Sequence, residues 1–403
     1  IGVRNFDVAS GVEIIDASGA KGTVRLLGND QANVLDLRNI TIIGSNLLLE
    51  GGYGDDTIYG TAGTDTLIAG GGNDTFNLGD GSDIYQVTGN VAGGWTSFQG
   101  FDTYADNGKT GTDTIQALGD GNVDIGLKQF SATSGIEVVD ATGAKGTVRL
   151  LGDDGSNVLD LSTLKLVGTN IVIDGGYGDD TITGTTAADT IIGGGGNDTL
   201  NLGEGGDTYQ ISGNVAGGWT SFQGLDNSSD KGKSGTDTIK AVGDGNVDIG
   251  LKKFDVTTGI EVIDTSGAKG TVRLLGDDGA NALNFAAVKL IGTNIVMEGG
   301  YGDDTITGTA GVDIVIGGGG NDTLNMGDGS DIYQVTGNVA GGWTSFQGFD
   351  TYADTGKTGT DTIKALGDGN VDIGLKQFSA TAGIEVIDAS GVKGTTRLLG
   401  DDG

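Results

Sequence analysis

Aspartates at a fixed spacing are the side chains here whose type and position could do chemistry. Residues 51–86 read as four nine-residue units, GGYGDDTIY, GTAGTDTLI, AGGGNDTFN and LGDGSDIYQ. Each has aspartate in its sixth place (Asp56, Asp65, Asp74, Asp83) and an apolar residue in its eighth (Ile58, Leu67, Phe76, Tyr85). The first six places make a tight turn in which Gly52, Gly54, Gly63, Gly72 and Gly81 let the backbone take φ > 0 and expose its carbonyl oxygens. The last three make a short strand whose middle residue faces inward. If such turns stack, a carboxylate from one coil meets carbonyls and a second carboxylate from the next, offering a hard cation about six oxygen ligands.

The block recurs twice. At 175–210 it supplies Gly176, Gly178, Asp180, Asp189, Gly196, Asp198, Gly205 and Asp207. At 299–334 it supplies Gly300, Gly302, Asp304, Gly311, Asp313, Gly320, Asp322, Gly329 and Asp331. A further unit, GKTGTDTIQ at 108–116, adds Asp113, with counterparts Asp237 and Asp361. A flexible Gly/Asp linker would not also keep the eighth place apolar through Ile182, Ile191, Leu200, Tyr209, Ile306, Val315, Leu324 and Tyr333.

The pattern G-G-x-G-x-D-x-U-x resembles the RTX (hemolysin-type) calcium-binding nonapeptide repeat. That resemblance implies an all-β, right-handed parallel β-solenoid with two nonapeptides per coil and Ca²⁺ held between the turns. It also implies a secreted bacterial protein, exported unfolded from a calcium-poor cytosol to a calcium-rich exterior. Ala69 in a first place and Ala187 in a fourth place depart from the motif, and those turns are expected to coordinate more weakly.

Composition bounds the rest. The 403 residues include 82 Gly and no Pro, Cys or His, and the formal charge is −33. Absence of Pro suits ladder-bonded strands, where each Pro would delete a donor. A charge of this sign opposes nucleic-acid binding. Stacked carboxylates repel one another, so calcium is expected to act as a folding switch. No apolar run is long enough to span a membrane.

A larger period organises the chain. GTVRLLG begins at 22, 146 and 270, and GGWTSFQG at 93, 217 and 341, a step of 124 residues. This divides the chain into repeats 1–124, 125–248 and 249–372, with 373–403 beginning a fourth, and suggests a segment of a longer array. Within a period, VEIID, TVRLL, NVLDL, ITIIG and NLLLE read as strands between Gly or Asn turns. Asn33 and Asn157 stand in aspartate places and are expected to satisfy turn backbone instead of a cation. Residues 87–107, carrying Trp95, Phe98, Phe101 and Tyr104, look too irregular to form a coil and read as a loop that covers the solenoid or contacts another chain or a glycan.

Without His or Cys there is no Ser-His-Asp or Cys-His arrangement and no zinc site. Glu13, Glu137, Glu261 and Glu385 recur once per period, an improbable design for a catalytic acid, and the segment is read as non-enzymatic. The recurring Arg25, Arg149, Arg273 and Arg397 are expected to pair with nearby acids. Two functions are compatible with these features. One is a calcium-stabilised structural repeat of an extracellular filament, surface layer or matrix fibre, with further copies of the repeat as partners. The other is the shaft or calcium module of an adhesin, toxin or secreted hydrolase, with surface glycans as possible partners.

Overall fold

The computed structural model describes residues 1–3, 5–89, 100–108, 110–213, 225–229, 234–251, 253–337, 347–356, 358–379 and 381–401. These residues form short strands with two single-turn 3-10 segments, Val8–Ser10 and Ala132–Ser134. All described strand pairs are parallel. They divide into two compact units, Ile1–Gly195 with Thr199–Asp207, and Gly196–Asp198 with Thr208–Gly403.

In the first unit the chain alternates between two stacks. One contains Val24–Leu27, Leu47–Tyr53, Thr66–Gly71, Ile84–Gly89, Thr114–Gly119, Val138–Ala144 and Lys165–Val167 as successive neighbours. The other runs through Val34–Asp36, Thr57–Tyr59, Thr75–Asn77, Phe101–Tyr104, Val123–Leu127, Val148–Leu151 and Ile171–Asp174. Before each nonapeptide block a third strand joins the coil, such as Thr41–Ile43 on Ile14–Asp16. All five strands expected in the opening stretch are present.

The second unit repeats the scheme. Val272–Leu275, Ile295–Tyr301, Ile314–Gly319, Ile332–Gly337 and Asp361–Gly367 stack in one sheet, and Ala282–Asn284, Thr305–Thr307, Thr323–Asn325 and Thr351–Tyr352 in another. Both units are parallel β-solenoids.

The eighth-place side chains fill the space between the stacks. Ile58, Leu67, Ile182, Ile191, Ile306 and Val315 are fully buried. Registers such as Ile58↔Phe76 and Leu67↔Tyr85 set each above its counterpart one coil on. Burying one such side chain is worth about 1.5–3 kcal/mol, so the ladder of apolar residues drives stacking that backbone hydrogen bonds then lock in register. In repeat one the column continues through rings: Phe76, Tyr85 and Tyr104 lie 5.3–5.8 Å apart by centroid, and Phe130 is 6.2 Å from Tyr104.

One sequence expectation is corrected. Phe101–Tyr104 is a strand within the stack, pairing Tyr104 with Phe76 and Asp102 with Leu127. Gly100, at φ 118°, begins it, so the chain re-enters the solenoid there with the second half of a nonapeptide, G-F-D-T-Y. Trp95, Trp219 and Trp343, and with them the central part of the aromatic loop, lie outside the described residues.

Candidate metal centre

Each nonapeptide turn buries its aspartate at the coil edge, because the glycines ahead of it let the chain double back. At Gly81 the backbone sits at φ 151°, and a Cβ there would fall 2.7 Å from both Gly63 O and Asp83 Oδ1. Only the bare backbone leaves room for a carbonyl and a carboxylate to approach the same point.

The aspartates join into ladders. The backbone N–H of Asp56 donates to Asp74 Oδ1 at 2.8 Å, eighteen residues on, and that of Asp74 to Asp102 Oδ1 at 3.0 Å. On the other side Asp65 N–H donates to Asp83 Oδ1 and Asp83 N–H to Asp113 Oδ1, both at 2.8 Å. First and third units thus share one edge, second and fourth the other. Repeat three reproduces both, Asp304 to Asp322 to Asp350 and Asp313 to Asp331 to Asp361, at 2.8–3.0 Å. In repeat two the N–H of Asp189 donates to Asp207 Oδ1 at 2.8 Å and that of Asp198 to Asp226 Oδ1 at 3.0 Å.

These rungs use one carboxylate oxygen and leave the second. Oδ2 of Asp56, Asp74, Asp83, Asp304, Asp322 and Asp331 is buried with no hydrogen-bond partner. A buried anionic oxygen without a donor is costly unless a cation meets it. Burial, then the neighbouring carboxylates, push Asp74 and Asp83 up to about 7, Asp56 to about 6 and Asp304 to about 7. Orphaned hard oxygens, stacked carbonyls and mutual repulsion fit a divalent, oxygen-seeking ion.

The ladder ends are neutralised without metal. Asn157, whose N–H donates to Asp180 Oδ1 at 2.8 Å, turns its own Nδ2 onto Gly155 O and onto Asp153 O and Oδ1. Asn281 does the same with Gly279 O and Asp277. Asn157 thus satisfies the backbone of its own turn, as the sequence reading expected. At the head of the other ladder both oxygens of Asp313 accept from Thr309 (N–H at 2.7 Å, Oγ1 at 3.0 Å), both oxygens of Asp189 accept from Thr185, and Oδ2 of Asp65 accepts the N–H and Oγ1 of Thr61. These three aspartates are held by their own turns.

Three sets of participants escaped the sequence reading. Asp102, Asp226 and Asp350 extend the first ladder from within the presumed loop. Asp106 stands beside Asp83 and Asp113. Glu137, Glu261 and Glu385 close the second ladder, accepting the N–H of Asp113, Asp237 and Asp361 at 2.7–2.8 Å. The signal for the first was G-x-D-x-aromatic at 100–104. In repeat two Ser228 replaces that aromatic, and the Tyr209 hydroxyl donates to Asp226 instead. The arginines pair as expected: Arg149 with Asp124 at 2.8 Å, Arg273 with Asp248 at 2.7 Å, Arg397 with Asp372 at 2.6 Å, and Arg25 with Glu50.

The profile of the RTX calcium-binding nonapeptide repeat, four copies, matches residues 50–85, 174–209 and 298–333. The chain carries RTX calcium-binding repeats. No curated protein matches the chain at a significant level. RTX repeats bind Ca²⁺, so calcium is the ion to which the orphaned oxygens answer. Such repeats are typical of secreted bacterial proteins. Among the described residues no helix is long and apolar enough to cross a membrane.

Proposed function

We propose that this RTX repeat protein is a calcium-stabilised structural element of an extracellular filament, surface layer or matrix fibre, bound to further copies of the same repeat. Calcium would be held at Asp56, Asp74 and Asp83 with the carbonyls of the adjoining glycine turns, and at the counterparts of these residues in repeats two and three. The observation that carries this reading is the return of the same ladder every 124 residues with its polar groups spent on the architecture. Glu137, Glu261 and Glu385 accept a backbone N–H, and the arginines bridge adjacent strands. Regular repetition suits a shaft that gains length by copying one unit.

A second reading, an adhesin or toxin shaft, is favoured by Tyr53, Tyr177 and Tyr301. Each occupies the third place of its block's first unit and is 68–69 % exposed, offering one ring per period. Electron microscopy of the chain in calcium separates the two. Filaments or a lattice support the structural role; dispersed single particles that bind glycan support the second.

A further inference from the structure

Among the carboxylates the motif does not include, Asp106 is placed for metal binding. It follows the strand Phe101–Tyr104, beyond the matched residues 50–85, and no nonapeptide place accounts for it. Ligand oxygens of Asp83, Asp106 and Asp113 all lie within 4.8 Å of one another. Two oxygens bound to one Ca²⁺ at about 2.4 Å can be at most about 4.8 Å apart, so the three can share an ion. All three side chains are more than nine-tenths buried.

A turn-stabilising role accounts for only half of Asp106. Its Oδ1 accepts the N–H of Gly79 at 3.1 Å and of Gly108 at 2.9 Å, which ties the chain leaving the strand to the turn of the fourth unit. Its Oδ2 is buried and has no partner, like that of Asp83. The Tyr85 hydroxyl, also buried and without a partner, lies close enough to feel all three charges. In repeat three Asp331 Oδ2 and the Tyr333 hydroxyl are also buried without a partner, and Asp354 Oδ1 accepts Gly356 N–H at 2.9 Å.

We propose that Asp106, a residue outside the nonapeptide motif, completes an additional three-carboxylate Ca²⁺ site with Asp83 and Asp113. Affinity in calcium sites rises with the number of charged ligands, so this one is the first in its block to fill. The ion fastens the returning chain at 100–108 onto the roll. The inference rests on calcium binding by the repeats and is independent of filament assembly.

The test is calcium titration of the full chain by calorimetry, comparing the parent with the variant Asp106→Asn. The amide keeps an acceptor oxygen for Gly79 and Gly108 but removes the charge. The expected result is loss of one tight site per chain with the β-rich circular dichroism retained at saturating calcium. Unchanged stoichiometry and affinity would overturn the proposal while leaving the calcium reading intact, whereas a parent that binds no calcium would remove both. Should the variant fail to fold, terbium replaces calcium in the parent and in a Tyr85→Phe variant. At one ion per chain, tyrosine-sensitised emission should fall by half or more in the variant, and equal emission would overturn the proposal.

Discussion

The backbone N–H of Asp56 meets Oδ1 of Asp74, eighteen residues later, at 2.8 Å, and leaves Oδ2 of Asp74 buried without a donor. One oxygen serves the fold and the other waits for an ion, so stacking and calcium binding are a single property of the same side chain. Replacing Asp74 by Ala should remove both. Orphaning the Asp56 amide alone costs about 1–3 kcal/mol. The calcium-loaded chain should melt lower and bind less calcium in repeat one, while repeats two and three keep theirs. Calorimetric titration with thermal melting checks this; full stoichiometry in the variant would contradict it.

Acid should partly substitute for calcium. Asp74, Asp83 and Asp331 are pushed up to about 7, and Asp322 to about 6, from an unfolded value near 3.8, with burial as the first cause. Between those values the folded chain holds more protons than the unfolded one. Stability of the calcium-free fold is therefore greatest below the unfolded value and is lost as pH rises through 6 to 7. Calcium needs the ionised form, so its affinity should rise across the same window. Circular dichroism of the calcium-free chain from about pH 4 to about pH 8 reads the sign directly. Order that increases with pH would contradict it.

Asn157 occupies a place in the ladder with an amide whose Nδ2 reaches Gly155 O. Asn157→Asp turns that attraction into a meeting of two oxygens. In chelator the variant should be less stable than the parent, by about 1–3 kcal/mol for the lost donor. In calcium it should bind one more ion. Equal stoichiometry would show that the asparagine is not standing in for a cation.

Glycine is not equally needed in every fourth place. Gly81→Ala puts a Cβ 2.7 Å from Gly63 O and Asp83 Oδ1 at φ 151°. Such strain costs about 1–3 kcal/mol and blocks the approach of the ligands. At Gly63 the nearest atom to a Cβ would be Thr61 Oγ1 at 3.8 Å, and repeat two already carries Ala187 there. Thermal melts in calcium should drop clearly for Gly81→Ala and little for Gly63→Ala; similar drops in both would argue against this account.

The nonapeptide blocks were legible because two constraints, a carboxylate in the sixth place and an apolar residue in the eighth, repeat without a gap. Asp102 was hidden because the insertion before it replaces the first three places of its unit, leaving only Gly100, Asp102 and Tyr104 of the pattern. Asp106 left no local trace: its partners, Gly79 and the carboxylates of Asp83 and Asp113, are brought to it only by stacking. Glu137 was visible as a recurring acid, but its role depends on meeting the N–H of Asp113, 24 residues earlier in the chain. Spacing within a coil can be read from the sequence, whereas contacts between coils of unequal length, 18 residues in the block and 23–30 around it, cannot.

Far-ultraviolet circular dichroism of the full chain at neutral pH, taken in calcium, after chelation and after calcium is restored, tests the link between ion and fold most directly. With a formal charge of −33 and carboxylates stacked coil on coil, the β-rich signal should collapse on chelation and return with calcium. A spectrum unchanged by removing the ion would show that the ladders stand without it and would contradict the account.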